Sequence, residues 1–326
     1  MKHLLYFNGI DAPLLDIFGC TCTRCQNHNH QANVSASLIT LDDEGQTINH
    51  MLFDCGSGVV DQLVRNPHLQ GERARLDHIL LTHWHRDHIA ELNRLLVSWH
   101  LSYKHKTGTS AARTPLWCRS GTAAWLRRYY DYELDNYLAL QESQEHHPPG
   151  TLLAPLTFST LPDIVLTPIT LSHLTADLSL DRQDTMYCCS GFILETAAKK
   201  VALLWDMDNI NHWLTHPQTA AHQAAIAKLQ HADHIFIDTS FWYNKPKPAS
   251  HASFETVLNY IRPLRPRQTW LIHLSGHPDA FFTNRNETGA YGWSNEQWTP
   301  EAQKAWAEHG LTGQVQAAYA GLSIPL

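Results

Sequence analysis

The stretch Thr82-His83-Trp84-His85-Arg86-Asp87-His88, set directly behind the apolar run Ile79-Leu80-Leu81, constrains this chain more than any other feature. A short apolar run of this kind reads as a strand, and Ile89, Leu92, Leu95, Leu96 and Trp99 then recur at helical spacing. A strand therefore hands a histidine-rich loop to a helix start. On such a loop His83 and His85 face one metal ion while Asp87 and His88 supply a second. Imidazole nitrogen with carboxylate oxygen suits Zn, Mn or Fe, which these donors do not rank, better than it suits soft copper sites. A blander reading has polar residues capping a helix, with Asp87 favouring its N-terminus. It leaves the ordered H-x-H-x-D-H pattern unexplained. The 23 histidines of the chain point the same way as the motif, because neutral imidazole is the commonest metal ligand.

Composition bounds the rest. A chain of 326 residues with 11 Trp, 11 Tyr and 10 Phe can build a sizeable core, and a single domain over 1–326 is expected. No apolar run reaches the roughly 20 residues that span a bilayer. Met1 to Phe7 is too short and too soon polar for a signal peptide, so a cytoplasmic protein without membrane contact is expected. A formal net charge of −7 disfavours nucleic acid as a partner, because non-specific affinity for polyanions comes from clustered Lys and Arg. Cys20, Cys22 and Cys25 are spaced C-x-C-x-x-C, which in a cytosolic chain suits a metal better than disulfides. Cys55, Cys118, Cys188 and Cys189 read as structural.

Along the chain, strands are predicted at 35–41, 50–54, 76–82, 164–171, 190–195, 201–205, 235–238, 269–273 and 314–324. Helices are predicted at 122–140, 219–230 and 253–261. Polar segments near 102–115, 141–161, 175–188 and 283–305 read as surface insertions. Strands in direct succession mixed with helices suggest two sheets flanked by helices.

With these residues on the page, the chain resembles the metallo-β-lactamase superfamily, whose hydrolases carry the same H-x-H-x-D-H pattern. The resemblance implies an α/β fold, a four-layer αββα sandwich with the metals at one edge. It also implies roles. Asp54, in Leu52-Phe53-Asp54-Cys55-Gly56-Ser57-Gly58, would orient a metal-bound histidine from behind. His173 ends the run Ile169-Thr170-Leu171-Ser172, Asp206 follows Val201 to Trp205, and His273 ends Trp270-Leu271-Ile272. The implied first metal set is His83, His85, His173 and Asp206, and the second is Asp87, His88, His273 and the shared Asp206. Asp208, two residues on, rivals Asp206 for the bridging role.

Within the superfamily the nearer resemblance is to the PhnP-type cyclic-phosphate phosphodiesterases. The cysteine trio matches their N-terminal cluster, and His277 stands near the position of a histidine that closes a structural Cys3His zinc site. Gly276 lengthens that spacing by one residue. His251, twenty-two residues before His273, falls where those enzymes place an active-site histidine. The resemblance thus implies a metal-dependent phosphodiesterase acting on a small phosphodiester, cyclic ones included, with two divalent ions (Zn, Mn or Fe), one structural Zn and a homodimeric state. Other enzyme readings are a tRNA-processing nuclease and a lactone or ester hydrolase. A rival of another class is a non-catalytic accessory protein of the PqqB type, which shares the fold and a similar cysteine cluster. A degenerate protein would have lost ligands, whereas here each expected ligand has a residue.

Overall fold

The computed structural model describes the chain apart from residues 14, 16–17, 22–24, 26–31, 144–145, 174–187, 245–250 and 276–292. In the first half, β1 (Lys2–Gly9), β2 (Ser35–Leu41) and β3 (Thr47–Phe53) pair antiparallel, and β4 (His78–Leu80), β5 (Thr114–Arg119) and β6 (Leu138–Ser143) then add in parallel. Parallel neighbours need long crossovers. These are supplied by α1 (Val59–Arg65), α2 (Arg86–Ile89) with α3 (Leu92–Thr107), and α4 (Ser120–Tyr129) with α5 (Asp131–Asn136). The second half repeats the plan. Its β7 (Val165–Thr170), β8 (Ser190–Glu195) and β9 (Lys200–Leu204) are antiparallel, and β10 (His234–Asp238), β11 (Gln268–Ile272) and β12 (Gln314–Ala317) follow in parallel. Here α6 (Ala220–Leu229), α7 (Phe254–Leu264) and α8 (Asn295–Glu308) intervene. The last strand, β13 (Ser323–Pro325), pairs with β1 and so belongs to the first sheet.

The period of two along the strands sorts side chains into layers. Leu5, Phe7, Ala36, Leu38, Met51, Phe53, Leu80 and Trp117 face the second sheet, while Ile39, Leu52, Ile79, Leu81, Leu116 and Cys118 face α1 to α4. Across the sandwich Phe7 stacks on Phe236 with centroids 4.0 Å apart, and Phe53 meets Phe192 edge-on at 5.2 Å. Beyond the second sheet lie Ala225, Ile226 and Leu229 of α6, much of α7, and Trp298, Ala302 and Trp306 of α8. This is the expected αββα order of layers. Among the described residues no helix is long and apolar enough to cross a membrane.

Several sequence expectations change. The basic segment at 102–115 is mostly not an insertion: α3 runs through Thr107, where Lys104, His105 and Lys106 suit the helix C-terminus and Gly108 caps it at φ 73°. The helix expected over 122–140 stops at Asn136, and β6 begins at Leu138 because Leu138 and Leu140 pair along β5. Part of the supposed loop at 283–305 is α8, whose start carries a capping box of Ser294 and Gln297; residues 283–292 lie outside the described residues, as do 175–187. The single closing strand over 314–324 is two strands in different sheets. By contrast, α6 and α7 start where expected, since Thr219 and Ser253 accept hydrogen bonds from the backbone N–H of His222 and Thr256.

A buried polar chain crosses the helix-facing side of the first sheet. His50 Nδ1 donates to the Arg75 carbonyl (2.6 Å), and its Nε2 accepts from Ser37 Oγ (2.9 Å). Asn8 Nδ2 donates to both Ser37 Oγ and Ser35 Oγ, and Ser35 Oγ donates to the Asp54 carbonyl (2.9 Å). Of these five bonds, the one that Nε2 accepts from Ser37 requires neutral His50, and burial pushes the pKa of the ring down to about 4. A histidine depressed in this way contributes stability that is intact above its unfolded value near 6.5 and is lost as pH falls from there through about 4. At about 1.36 kcal/mol per unit, the effect is on the order of 3 kcal/mol. Melting temperature measured from pH 7 to 4 in the presence of chelator is expected to fall less steeply in His50→Gln than in the parent chain. Equal slopes would remove His50 from the acid response.

Candidate metal centre

Each cluster residue sits just beyond the C-terminal end of a strand or in the loop that follows it. Asp54 follows β3, His83 to His88 follow β4, His173 follows β7, Asp206 follows β9, Asp238 ends β10 and His273 follows β11. Asp54 and His273 both adopt left-handed backbone, at φ 58° and 60°. The loop after β3 and the metal loop are locked together: Cys55 N donates to the His88 carbonyl (2.7 Å) and Glu91 N to the Cys55 carbonyl (3.0 Å). Gly56 is required here, because a Cβ on it would lie 1.7 Å from the Asp87 carbonyl oxygen. His85 stands at the N-cap of the single turn of α2, where its carbonyl accepts from His88 N (2.9 Å), and the turn projects Asp87 and His88 inward.

The structure brings together the residues expected from sequence. Ligand atoms of His83, His85 and His173 lie within 4.8 Å of one another, and so do those of Asp87, His88, Asp206 and His273. Asp206 joins the two groups. Its Oδ2 is 3.1 Å from His88 Nε2, 3.7 Å from His83 Nε2 and 3.9 Å from His173 Nε2, and its Oδ1 is 3.3 Å from His273 Nε2. Asp208 does not share this place. Its carboxylate accepts from Ser172 Oγ, Asn211 Nδ2 and Ile210 N, and with Asn211 it fixes the backbone before His173.

A second ring of contacts aims the imidazoles. His88 Nδ1 donates to Asp54 Oδ2 (2.9 Å), and Asp54 also accepts from Thr82 N, Thr82 Oγ1 and Trp205 Nε1. That bond leaves Nε2 facing Asp206 and Asp87, where it offers a lone pair once its proton is displaced. His83 Nδ1 contacts Thr82 Oγ1 (3.1 Å) and His273 Nδ1 contacts Ser240 Oγ (3.0 Å), leaving both Nε2 atoms inward. His251 reaches the cluster as well: its Nδ1 donates to Asp238 Oδ2 at 3.0 Å, and its ring lies 4.6 Å from that of His273.

The charges fit a cation. His83 Nε2 and Asp206 Oδ1 are buried with no hydrogen-bond partner among the described residues, a costly arrangement unless an ion sits between such atoms. Burial holds His83 well below the ordinary histidine value, and lowers His85 to about 4 and His173 to about 3, so these three offer lone pairs. Burial also opposes charge on His88, but Asp206, Asp87 and Asp54 overcome it and raise His88 well above its ordinary value. His273 is raised to about 10 against the same burial by Asp206 and Asp238. Burial would raise Asp87 and Asp206, yet the neighbouring histidines hold both carboxyls well below the usual range. Protons on His88 and His273 thus balance the carboxylates, and a divalent ion would displace them.

Of the expected structural zinc site, Cys25 is buried and Cys20 partly exposed, while Cys22 and His277 lie outside the described residues. Sequence reasoning overlooked Asp238. The signal was available, because Ile235-Phe236-Ile237-Asp238 is an apolar strand ending in Asp, as are the runs before Asp54 and Asp206.

Comparison with known proteins adds three findings. Ribonuclease Z of Haloarcula marismortui is 31% identical over 85 residues, 26% of this chain; the match spans only about a quarter, 24%, of that relative's own length. Two solved structures are similar in fold. One is a diphosphatase of the PhnP family (TM-score 0.63, 18% identity, covering 100% of this chain and 98% of that one). The other is Zn(2+)-bound PqqB from Methylobacterium extorquens (TM-score 0.65, 15% identity, 99% and 100%). The family described as the Beta-lactamase superfamily domain matches residues 49–274. That span covers more than half of the chain and runs from β3 through the loop holding His273, so the protein belongs to the metallo-β-lactamase superfamily.

Proposed function

We propose that this protein is a metal-dependent phosphodiesterase that hydrolyses a small phosphodiester, cyclic ones included. The observation that carries the reading is the convergence of two ligand groups on one carboxylate, Asp206, with the His251–Asp238 pair beside it. When bound, two divalent ions supply Lewis acidity and lower the pKa of water at the cluster. His83, His85 and His173 would hold one ion; Asp87, His88 and His273 would hold the other. Asp54 and Ser240 keep His88 and His273 aimed. Asp238 anchors Nδ1 of His251, which makes Nε2 the atom available to a substrate. A protonated Nε2 there donates to the oxygen of a leaving alcohol, and the product is a phosphomonoester. The C-x-C-x-x-C trio supports a separate structural Zn held by Cys20, Cys22, Cys25 and His277.

The test pairs elemental analysis with hydrolysis of bis(p-nitrophenyl) phosphate before and after chelation and metal return. Chelator-sensitive, metal-restored turnover with about two chelatable ions per chain supports the reading. In His251→Ala, diesters with an alkyl leaving group are expected to slow by about 10² or more, whereas p-nitrophenyl diesters, whose leaving group needs little protonation, change far less. A uniform loss across leaving groups would remove His251 as the acid. No turnover under any metal would leave the accessory-protein reading. The ribonuclease Z match favours a second reading, an RNA phosphodiester as substrate, against which the net charge of −7 stands.

A further inference from the structure

The strands β3 and β4 end at the metal centre and, with the parallel β5, begin at the opposite end of the sheet. At that end lies a cavity of about 520 Å³, bounded by Thr47, Asp77 and Thr114 at the strand starts and by the end of α3. Seven residues of β3 separate it from Asp54, about 20 Å at the usual strand rise. One wall is aromatic: Trp99 and Tyr103 sit edge-to-face with centroids 5.5 Å apart. Another is cationic. Arg75 is bound on two nitrogens by Asp77 (2.9 and 3.1 Å), and Asp77 is fixed in turn by the His50 N–H. That pairing neutralises Arg75 and leaves Lys106, Arg113 and Glu72 as charged side chains of the lining. Lys106 reaches the Gly71 carbonyl, Arg113 makes no hydrogen bond or ion pair among the described residues, and the buried Thr114 hydroxyl lacks a partner.

We propose that this cavity is a second binding site, separate from the metal centre, for a small aromatic phosphate of the nucleoside monophosphate kind. The volume is in the range of small-molecule sites. A planar ring packs on Trp99 and Tyr103, the phosphate meets Lys106 and Arg113, and Glu72 accepts from a ring amine or sugar hydroxyl. Both cations come from the basic segment around 102–115, which the metal centre does not use. The walls are held before any ligand arrives by the Arg75–Asp77–His50 bonds, which lowers the ordering cost of binding.

The test is calorimetric titration of the metal-loaded protein with AMP and, separately, with inorganic phosphate. AMP is expected to bind, phosphate alone at least about tenfold more weakly, and the Lys106→Ala/Arg113→Ala double variant to lose about tenfold or more in AMP affinity with metal content unchanged. Tyr103→Ala is expected to weaken AMP but not phosphate. The proposal is overturned if AMP gives no binding at millimolar concentration, or if its binding survives the double variant and disappears in His88→Ala, which would place the ligand at the metal centre. None of these readouts depends on diester hydrolysis, so failure of the phosphodiesterase reading leaves this site standing.

Discussion

Asp206→Asn is expected to fold and yet to lose both ions of the centre, with hydrolysis falling by about 10³-fold or more. Among the described residues, the carboxylate is the one group within reach of His83, His88, His173 and His273 together. In the proposed centre, several kcal/mol of charge stabilisation would depend on the ions it shares, and each 1.36 kcal/mol is about tenfold in rate. The amide keeps the shape of the side chain and removes its negative charge, so the neighbouring imidazoles lose the group that holds the cations between them. Elemental analysis and rate measured on the same sample decide the matter. A variant that keeps two ions and a rate within about tenfold of the parent removes Asp206 as the shared ligand. Asp208→Asn is the control, since Asp208 acts on Ser172 and Asn211 and only through them on His173.

The second large effect is structural. Asp54→Ala strips a fully buried carboxylate from four donors: Thr82 N at 2.8 Å, and Thr82 Oγ1, His88 Nδ1 and Trp205 Nε1 at 2.9 Å. Breaking a buried pair costs about 3–5 kcal/mol, each orphaned donor adds about 1–3, and alanine at φ 58° adds roughly 1–2 more. These terms overlap, so a loss of about 5 kcal/mol in denaturant unfolding under chelator is expected, with a 10–100-fold drop in affinity for the ion at His88. Asp54→Asn tolerates the left-handed backbone and is expected to be milder. A loss below about 1 kcal/mol in the alanine variant would show that Thr82 and Trp205 find other acceptors.

The clustered residues of the candidate metal centre were largely legible in the sequence because they follow apolar strands, and the end of a strand is a local signal. His83, His85, Asp87 and His88 are one motif, while Asp206 and His273 each close a run that alternates or is wholly apolar. Asp238 went unread for want of a second cue: its role depends on facing His251 from the neighbouring loop, a contact between residues 13 apart. The amino-terminal strand was missed because Lys2 to Gly9 mixes Tyr6 and Asn8 among its apolar residues, and only pairing with β2 and β13 shows that these lie on the helix-facing side. The division of 314–324 into two sheets was likewise beyond local pattern, since β12 and β13 differ in partners rather than in composition.

The repeat of one plan in both halves makes the centre a seam. Asp54, His83, His85, Asp87 and His88 come from the first half, and His173, Asp206, Asp238, His251 and His273 from the second. Neither half carries a complete set for either ion. A chain severed between β6 and β7 would therefore be a two-piece device whose parts are joined by the apolar core between the sheets, by β13, the strand that the second piece lends to the first, and at the seam by the cation. Because an ion that binds only the joined state favours joining by mass action, such a pair would report free divalent metal as association rather than as turnover.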